Sequence, residues 1–117
     1  ERSILDHTGA LWVSSRGGLH RKLPEQNHFT TFRHEAKDPH SLTNNWAMTL
    51  VEDKQGKIWI GTMNGLDYFD RKTEKFIHLR HDEKDVHSLS HNRVHSLFID
   101  SKDNLWVGTS GGLNRMQ

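Results

Sequence analysis

Three tryptophans divide this chain into near-copies of one segment. Trp12, Trp59 and Trp106 are 47 residues apart. The same spacing relates the aspartates six residues before each tryptophan and the leucines seven residues after it, which are Asp6, Asp53, Asp100, Leu19, Leu66 and Leu113. An internal repeat of this length is typical of helical solenoids and of propeller blades, so the local pattern has to decide between them.

The residues around each tryptophan indicate β-strands. The run Ile58–Ile60 is β-branched or aromatic, is bounded by Gly56 and Gly61, and shows no apolar period of 3.6 residues. Runs 11–13 and 105–107 have the same character. The sequence therefore predicts an all-β fold of β-propeller blades, each a four-stranded antiparallel meander.

The predicted strands recur with the same period. They are 1–6, 11–13, 19–23 and 29–33 in the first copy, 46–52, 57–62, 66–69 and 75–80 in the second, and 94–99, 105–109 and 113–116 in the third. The whole chain, 1–117, is then part of one propeller, with repeat units of roughly 1–45, 46–92 and 93–117. The first copy starts within its first strand and the third stops before its fourth, which predicts an incomplete propeller of about two and a half to three blades.

The connections carry turn signals. Asp6 can accept backbone N–H groups in the first turn, and Asp103 replaces the turn glycine of the other copies in the left-handed region. Leu42 and Leu89 are expected to tuck under the long polar loops. The mixed-charge run 70–75 is predicted to be a solvated hairpin loop, and Phe29 and Phe32 are predicted to be the apolar markers of the fourth strand.

Composition limits the function. The 117 residues are 32% hydrophobic and carry a net charge of +1, so no global field attracts nucleic acid or a membrane surface. The absence of cysteine excludes disulfides and thiolate metal sites. No signal-peptide or transmembrane pattern occurs, so we expect a membrane connection only through parts of a parent chain not present here. No cofactor motif is found.

The repeated motif resembles a known family. The string Asp-x-x-Gly-x-Ile/Leu-Trp-Ile/Val-Gly-Thr-x-x-Gly-Leu-Asn, with a later His-Ser-Leu-Ser-x-Asn, closely resembles the two-component regulator propeller repeat, and the stretch 92–114 matches it best. Three positions depart from this repeat. The first copy has Ser14 and Ser15 in place of the Gly-Thr that follows the tryptophan strand, and the second has Asn64 in place of the first glycine of the following turn. The Asn after Leu is replaced by His20 in the first copy and by Asp67 in the second.

The resemblance implies a seven-bladed propeller in the extracytoplasmic, for example periplasmic, sensor region of a hybrid histidine kinase or a related bacterial signalling protein. Carbohydrates are the signals that it implies. The segment itself is then not an enzyme, and a histidine kinase or another output domain lies elsewhere in the parent chain. The alternative is a propeller scaffold for protein–protein interaction or dimerisation without small-molecule binding.

Several apparent site motifs are better interpreted as structure. The three repeated tryptophans lie mid-strand between apolar neighbours, as residues that pack blade against blade would. His87, His91 and His95 have the spacing of a helical metal stripe but lie in a loop running into a strand, so no metal site is predicted. His34 and His81 recur in register and are expected to form loop hydrogen bonds. No nucleophile elbow, phosphate loop or catalytic carboxylate pair is present, so no catalytic residue is predicted.

The meander topology predicts where a ligand would bind. The connections between strands two and three, and between strand four and the next copy, emerge at the same end of each blade. The candidates for ligand binding there are Arg16, Asn45, Trp46, Asn64, Asn92 and Arg93. Trp46 lies outside the repeated frame and is the best candidate for stacking on a sugar, although a buried position at a strand start is an equal alternative.

The chain is also expected to need partners. Fewer than three blades cannot close a ring, so apolar blade faces would be left without neighbours. We expect these faces to be covered by the remaining blades of a larger propeller or by further copies of the chain. The small-molecule or oligosaccharide signal would be the other partner.

Overall fold

The protein folds into three antiparallel sheets. The computed structural model describes residues 2–85 and 88–116, and that part contains eleven β-strands. The first blade consists of β1 (Arg2–Leu5), β2 (Leu11–Ser15), β3 (Gly18–Lys22) and β4 (Thr30–Phe32). The second consists of β5 (Ala47–Glu52), β6 (Ile58–Thr62), β7 (Gly65–Asp70) and β8 (Lys75–Leu79). The third consists of β9 (Val94–Ile99), β10 (Leu105–Thr109) and β11 (Gly112–Met116).

Each sheet is a simple meander. The strand order is β1-β2-β3-β4 in the first blade, β5-β6-β7-β8 in the second and β9-β10-β11 in the third, with every neighbouring pair antiparallel. The main approaches between blades involve the first strands β1, β5 and β9. The first strands therefore converge towards the axis of a propeller, which confirms the predicted fold class.

The repeated aspartate and tryptophan form a hydrogen-bonded pair in each blade. The indole Nε1 of Trp12 donates to Asp6 Oδ2 at 2.7 Å. The pairs Trp59–Asp53 and Trp106–Asp100 have the same geometry, with distances of 3.0 and 2.9 Å. A buried indole N–H needs an acceptor, and the turn aspartate supplies it from six residues earlier. This bond is the physical reason why both residue types recur at a fixed separation.

The same aspartates organise the turn that joins the first two strands of each blade. Asp6 Oδ1 accepts the backbone N–H groups of Thr8 and Ala10 at 2.9 and 3.0 Å. The turn needs one residue with positive φ, which is Gly9 at 89° in the first blade and Asp103 at 63° in the third. Asp103 thus replaces a glycine in the left-handed region, as predicted.

The larger of the two buried hydrophobic clusters lies between the first and second blades. Trp12 is fully buried and packs against Phe32 of its own blade and Phe69 of the next, with ring centroids 6.3 and 5.2 Å away. Trp59 and Trp106 occupy the equivalent strand positions and are partly buried, so of the three repeated tryptophans Trp12 alone is fully enclosed. The three strands of the third blade cover Trp59, and among residues 2–85 and 88–116 no later blade covers Trp106.

The packing corrects two expectations from the sequence, one about Phe29 and one about the run 70–75. Phe29 precedes β4 and is 45% exposed, so Phe32 is the aromatic residue of that strand that reaches the core. The run 70–75 is more than a solvated loop. The guanidinium of Arg71 contacts Asp6 Oδ2 at 3.2 Å, and Glu74 accepts from Arg21 at 2.9 Å, so this loop links the second blade to the first.

Substitution of Gly61 by alanine is expected to destabilise the fold by about 1–3 kcal/mol, because an added methyl group overpacks a filled interface. A Cβ at Gly61 would lie 2.5 Å from Val94 Cγ1 and 2.8 Å from Thr49 Cγ2, between the second and third blades. Gly17→Ala is the matched control, because its Cβ would meet no atom closer than 3.7 Å. Urea denaturation of both variants measures the difference, and equal midpoints would refute the close approach.

Within the part of the chain that the structure describes, no helix has the length and apolar character needed to cross a membrane.

Candidate functional site

One face of the blades collects the connections that were expected to bind a ligand. We call it the loop face: the turns after β2, β6 and β10, together with the ends of the two long loops that enter β5 and β9. The amide of Met63 donates to the carbonyl of Trp46 at 3.2 Å, and that of Ser110 donates to the carbonyl of Arg93 at 3.1 Å. These bonds join the strand-two turn to the end of the long loop within a blade, as the meander topology predicts.

Two of the proposed ligand residues meet on this face. The guanidinium carbon of Arg16 lies 4.5 Å from the ring centre of Trp46, so the turn of the first blade contacts the entry to β5 of the second. Arg16 is exposed and Trp46 is half-buried. A cation over an indole at this distance is favourable, and it holds the aromatic ring at the surface.

A depression opens beside this pair, which we call the Arg16–Trp46 pocket. It has a volume of about 600 Å³ and is lined by Ser15, Arg16, Gly17, Trp46, Ala47 and Met48. A volume of this size suits a small ligand. The pocket combines an aromatic surface with cationic donors, a combination that can stack on a sugar ring while binding its polar groups.

Asn45 and Asn92 have a bracing role in the long loops. The side-chain oxygen of Asn45 accepts the backbone N–H of His34 at 2.6 Å, and Asn92 does the same for His81. Each histidine ring in turn contacts a loop carbonyl, that of Leu42 or of Leu89. His34 and His81 therefore are loop hydrogen-bonders, as expected.

The two leucines that these loops pin are buried. Leu42 is 0% exposed and Leu89 is 2% exposed, which confirms that they tuck under the loops. Because the long loops are fixed by both polar and apolar contacts, they present Trp46 and Arg93 in defined positions. Arg93 is exposed on the third blade and does not line the Arg16–Trp46 pocket.

Asn64 lines a second depression on the same face, of about 380 Å³, which we call the loop pocket. Its side-chain oxygen accepts a hydrogen bond from Arg80 at 2.8 Å. In the first blade the equivalent arginine, Arg33, donates to the carbonyl of Gly17 at 2.9 Å, beside Arg16. Sequence reasoning missed these two arginines, although their separation of 47 residues was a visible signal.

A buried carboxylate lies below the loop pocket. Asp67 is 0% exposed and accepts hydrogen bonds from the amide and hydroxyl of Thr43, while its Oδ1 lies 2.6 Å from Nδ1 of His78. Burial raises the pKa of Asp67, opposed by the hydrogen bonds from His78 and Thr43. In the third blade, Asn114 accepts from the amide of Ser90 at 2.8 Å in the same way. This position therefore anchors the long loop in both blades.

The histidines that resembled a metal stripe form no such site in the described chain. His87 lies outside the described residues, and the exposed His91 and His95 lie before and within β9. Residues 2–85 and 88–116 contain no group of three or more His, Cys, Asp or Glu residues that could hold a metal ion.

Comparison with known proteins agrees with this architecture. Residues 41–64 and 88–111 match the model of the two component regulator propeller family. The search of curated proteins found no match to this sequence. Among solved structures, the chain is similar to the extracellular domain of the hybrid two component system BT4673 from B. thetaiotaomicron. The two are 25% identical, with a TM-score of 0.81 over 98% of this chain.

Other solved structures share the fold. A second structure of the BT4673 extracellular domain, described as a one component system, is 26% identical with a TM-score of 0.82 over 98% of this chain. PorZ, a surface component of the type-IX secretion system of Porphyromonas gingivalis, is 20% identical with a TM-score of 0.74 over 98% of this chain, which shows the fold alone. The chain spans 15% of the length of each BT4673 structure and 17% of PorZ.

Proposed function

Because this chain carries two-component regulator propeller repeats, we propose that it is part of a sensor β-propeller that binds a carbohydrate signal at the Arg16–Trp46 pocket. Binding at the loop face would change the position of the blades or loops. An output module elsewhere in the protein, such as a histidine kinase, would respond to this change. The blades themselves would bind without catalysing a reaction.

The observation that carries the proposal is the setting of Trp46. This tryptophan lies outside the repeated frame, so the packing of blade on blade does not require it; its equivalent in the third blade is Arg93. It is nevertheless held half-exposed at the edge of a pocket of about 600 Å³ by the guanidinium of Arg16. Aromatic rings with one accessible surface and nearby hydrogen-bond donors suit the alternating apolar and hydroxyl surfaces of a sugar.

The similar structures support the cellular placement. Both BT4673 structures are described as extracellular domains of signalling systems. On this ground we propose that this propeller lies outside the cytoplasm, in the periplasm or beyond it. The kinase and the membrane connection would belong to other parts of a longer protein.

The third blade presents an apolar surface that calls for a further blade. Leu113 is 66% exposed, whereas its equivalents Leu19 and Leu66 are 0% exposed because a following blade covers them. Phe98 is 61% exposed on the same blade. Apolar side chains grouped in this way indicate a contact surface. We assign it to the remaining blades of the ring, and further copies of the chain are the alternative occupant.

Replacement of Trp46 by alanine in the full-length protein is expected to weaken sugar binding by about 1 kcal/mol or more, because the stacking surface is lost. Stability should change little, because the side chain is half-exposed. Titration calorimetry with a panel of oligosaccharides measures the affinity. Trp46→Phe is the matched control, since it keeps an aromatic surface and should retain most of the affinity.

The same titration distinguishes the alternative function. The exposed leucine and phenylalanine of the third blade would also suit a propeller that serves only as a scaffold for protein–protein interaction or dimerisation. A scaffold predicts no saturable binding of any oligosaccharide to the full-length protein. Saturable binding that is unchanged by Trp46→Ala would remove this tryptophan from the site.

A further inference from the structure

The arginines of the loop face differ from those between the blades in their partners. Arg21 and Arg71 lie between the first and second blades and form ion pairs with Glu74, Asp6 and Glu52. Across residues 2–85 and 88–116, no carboxylate pairs with Arg16 or Arg33. Their contacts are the ring of Trp46 and the carbonyl of Gly17.

The loop face as a whole is cationic close to the pocket. Its turns and loop ends are 15–18, 43–46, 62–65, 90–93 and 109–112, and these described segments contain no Asp or Glu. They contain Arg16 and Arg93, while Arg33 and Arg80 follow the fourth strands and each lie two residues before an acidic residue, Glu35 or Asp82. The turns of the opposite face, in contrast, include an aspartate in every blade, at positions 6, 53 and 100. A net charge of +1 therefore conceals an uneven distribution of charge.

The acidic residues of the first long loop do not line the Arg16–Trp46 pocket, and Glu35 and Asp38 line a neighbouring depression together with Arg33. The carbonyl of His40 accepts a hydrogen bond from the amide of Phe76 at 2.8 Å, so this loop runs along the outer edge of β8. Asp38 accepts the amide of His40 there and borders the loop pocket. No carboxylate lines the Arg16–Trp46 pocket. Arg16 is therefore the one charged residue among those that line that pocket.

From this distribution we infer that the Arg16–Trp46 pocket binds an acidic oligosaccharide, one that carries carboxylate or sulfate groups. The inference rests on the proposed function and specifies its ligand class. The guanidinium carbon of Arg16 lies 4.5 Å from the centre of the Trp46 ring, and no carboxylate of the described residues pairs with this guanidinium. Its N–H donors are therefore available to an anionic group, which a guanidinium can bind in a bidentate manner. Arg33, beside Gly17, adds a second positive charge. Trp46 supplies the surface for the sugar ring.

The test compares ligands that differ only in charge. Oligogalacturonate and its methyl ester share one backbone, and a sulfated galactan oligosaccharide and its desulfated, neutral form make a second pair. Titration of the full-length protein should show at least tenfold tighter binding of one acidic form than of its neutral counterpart. That preference should decline with added salt. The two pairs distinguish a carboxylate ligand from a sulfate ligand.

Variants locate the preference on the chain. Arg16→Gln should weaken binding of the preferred acidic form about tenfold and leave binding of the neutral form nearly unchanged, since it removes one charge-assisted contact. Lys102→Gln is the control, because Lys102 is an exposed cation in the turn of the opposite face. It should leave both affinities unchanged. Matching melting temperatures of the variants and the parent would confirm that both are folded.

Two outcomes overturn the inference and are distinct from failure of the proposed function. Equal affinity for the acidic and neutral members of both pairs, or an acidic preference that survives Arg16→Gln, contradicts the acidic ligand class at this pocket. A neutral glycan that binds through Trp46 would still support the sensor function in that case. No saturable binding of any glycan would contradict both proposals.

Discussion

Replacement of Trp12 by alanine is expected to lower the free energy of unfolding by about 3–5 kcal/mol, because it removes a fully buried aromatic side chain and leaves a cavity. Trp12 is 0% exposed and packs against Phe32 and Phe69. Its indole also donates a 2.7 Å hydrogen bond to Oδ2 of Asp6, and the substitution would leave this oxygen without that donor. The loss therefore combines apolar contacts across two blades with a buried hydrogen bond.

Trp106→Ala is the matched control for this prediction. It removes the same side chain from the equivalent position of the third blade, where the indole is only partly buried. Its effect on the stability of the 117-residue chain, in which Trp106 is only partly covered, should be clearly smaller. Urea denaturation followed by far-ultraviolet circular dichroism avoids the loss of fluorescence that accompanies either substitution. Equal destabilisation by the two variants would contradict the account of how the second blade buries Trp12.

Substitution of Asp6 by alanine is expected to cost about 2–4 kcal/mol, because several buried donors lose their acceptor. Asp6 accepts from the amides of Thr8 and Ala10 and from the indole of Trp12. Its side chain is 0% exposed, and its Oδ2 also contacts the guanidinium of Arg71, which would remain partly buried without this carboxylate. Thermal and urea denaturation of the variant measure the loss.

The loss at Asp6 should depend on pH. Burial disfavours the charge of Asp6, but hydrogen bonds from Thr8, Trp12 and Ala10 outweigh it and lower the pKa of this carboxyl. A carboxyl with a lowered folded-state pKa stabilises the fold above its unfolded pKa of about 3.9 and loses that contribution as the pH falls further. The difference in stability between the parent and Asp6→Ala should therefore shrink below pH ~4. If this stability difference stayed constant down to pH ~2, Asp6 would not have a lowered pKa that stabilises the fold.

The sequence predicted the local architecture well because the repeat exposes it three times. Strands β9 and β10 have the predicted boundaries, and most others differ by a residue or two. The turn chemistry was equally visible, since Asp103 replaces a glycine at one repeated position and adopts its positive φ. Local signals of this kind depend on a few neighbouring residues, and comparison between copies confirms each of them.

The contacts between blades were less predictable. The burial of Trp12 depends on Phe69, which is 57 residues away, and nothing local to the other tryptophans shows that they are less covered. The charged run 70–75 looked like any solvated hairpin, yet Arg71 and Glu74 reach side chains of the first blade. Such contacts are set by how one blade lies on the next. A pattern within one copy carries no information about them.

The candidate site was predicted in outline and refined by the structure. Topology alone placed Arg16 and Trp46 on one face, and the structure brings them within 4.5 Å. It assigns Asn45 a bracing contact with the backbone of His34, which the sequence could not distinguish from ligand binding. Arg33 was overlooked because it belongs to a strand end rather than to a predicted ligand loop. Its equivalence with an arginine 47 residues later could have revealed it.

The most direct test of the account is a crystal structure of the full-length protein with the oligosaccharide that binds most tightly. We expect a closed propeller with the oligosaccharide bound on the loop face. One sugar ring should lie against Trp46, and an acidic group should contact the guanidinium of Arg16. A sugar bound at the opposite face, near the turns that contain Asp6 and Asp53, would contradict the account. So would a complete ring in which neighbouring blades bury Trp46 and close the Arg16–Trp46 pocket.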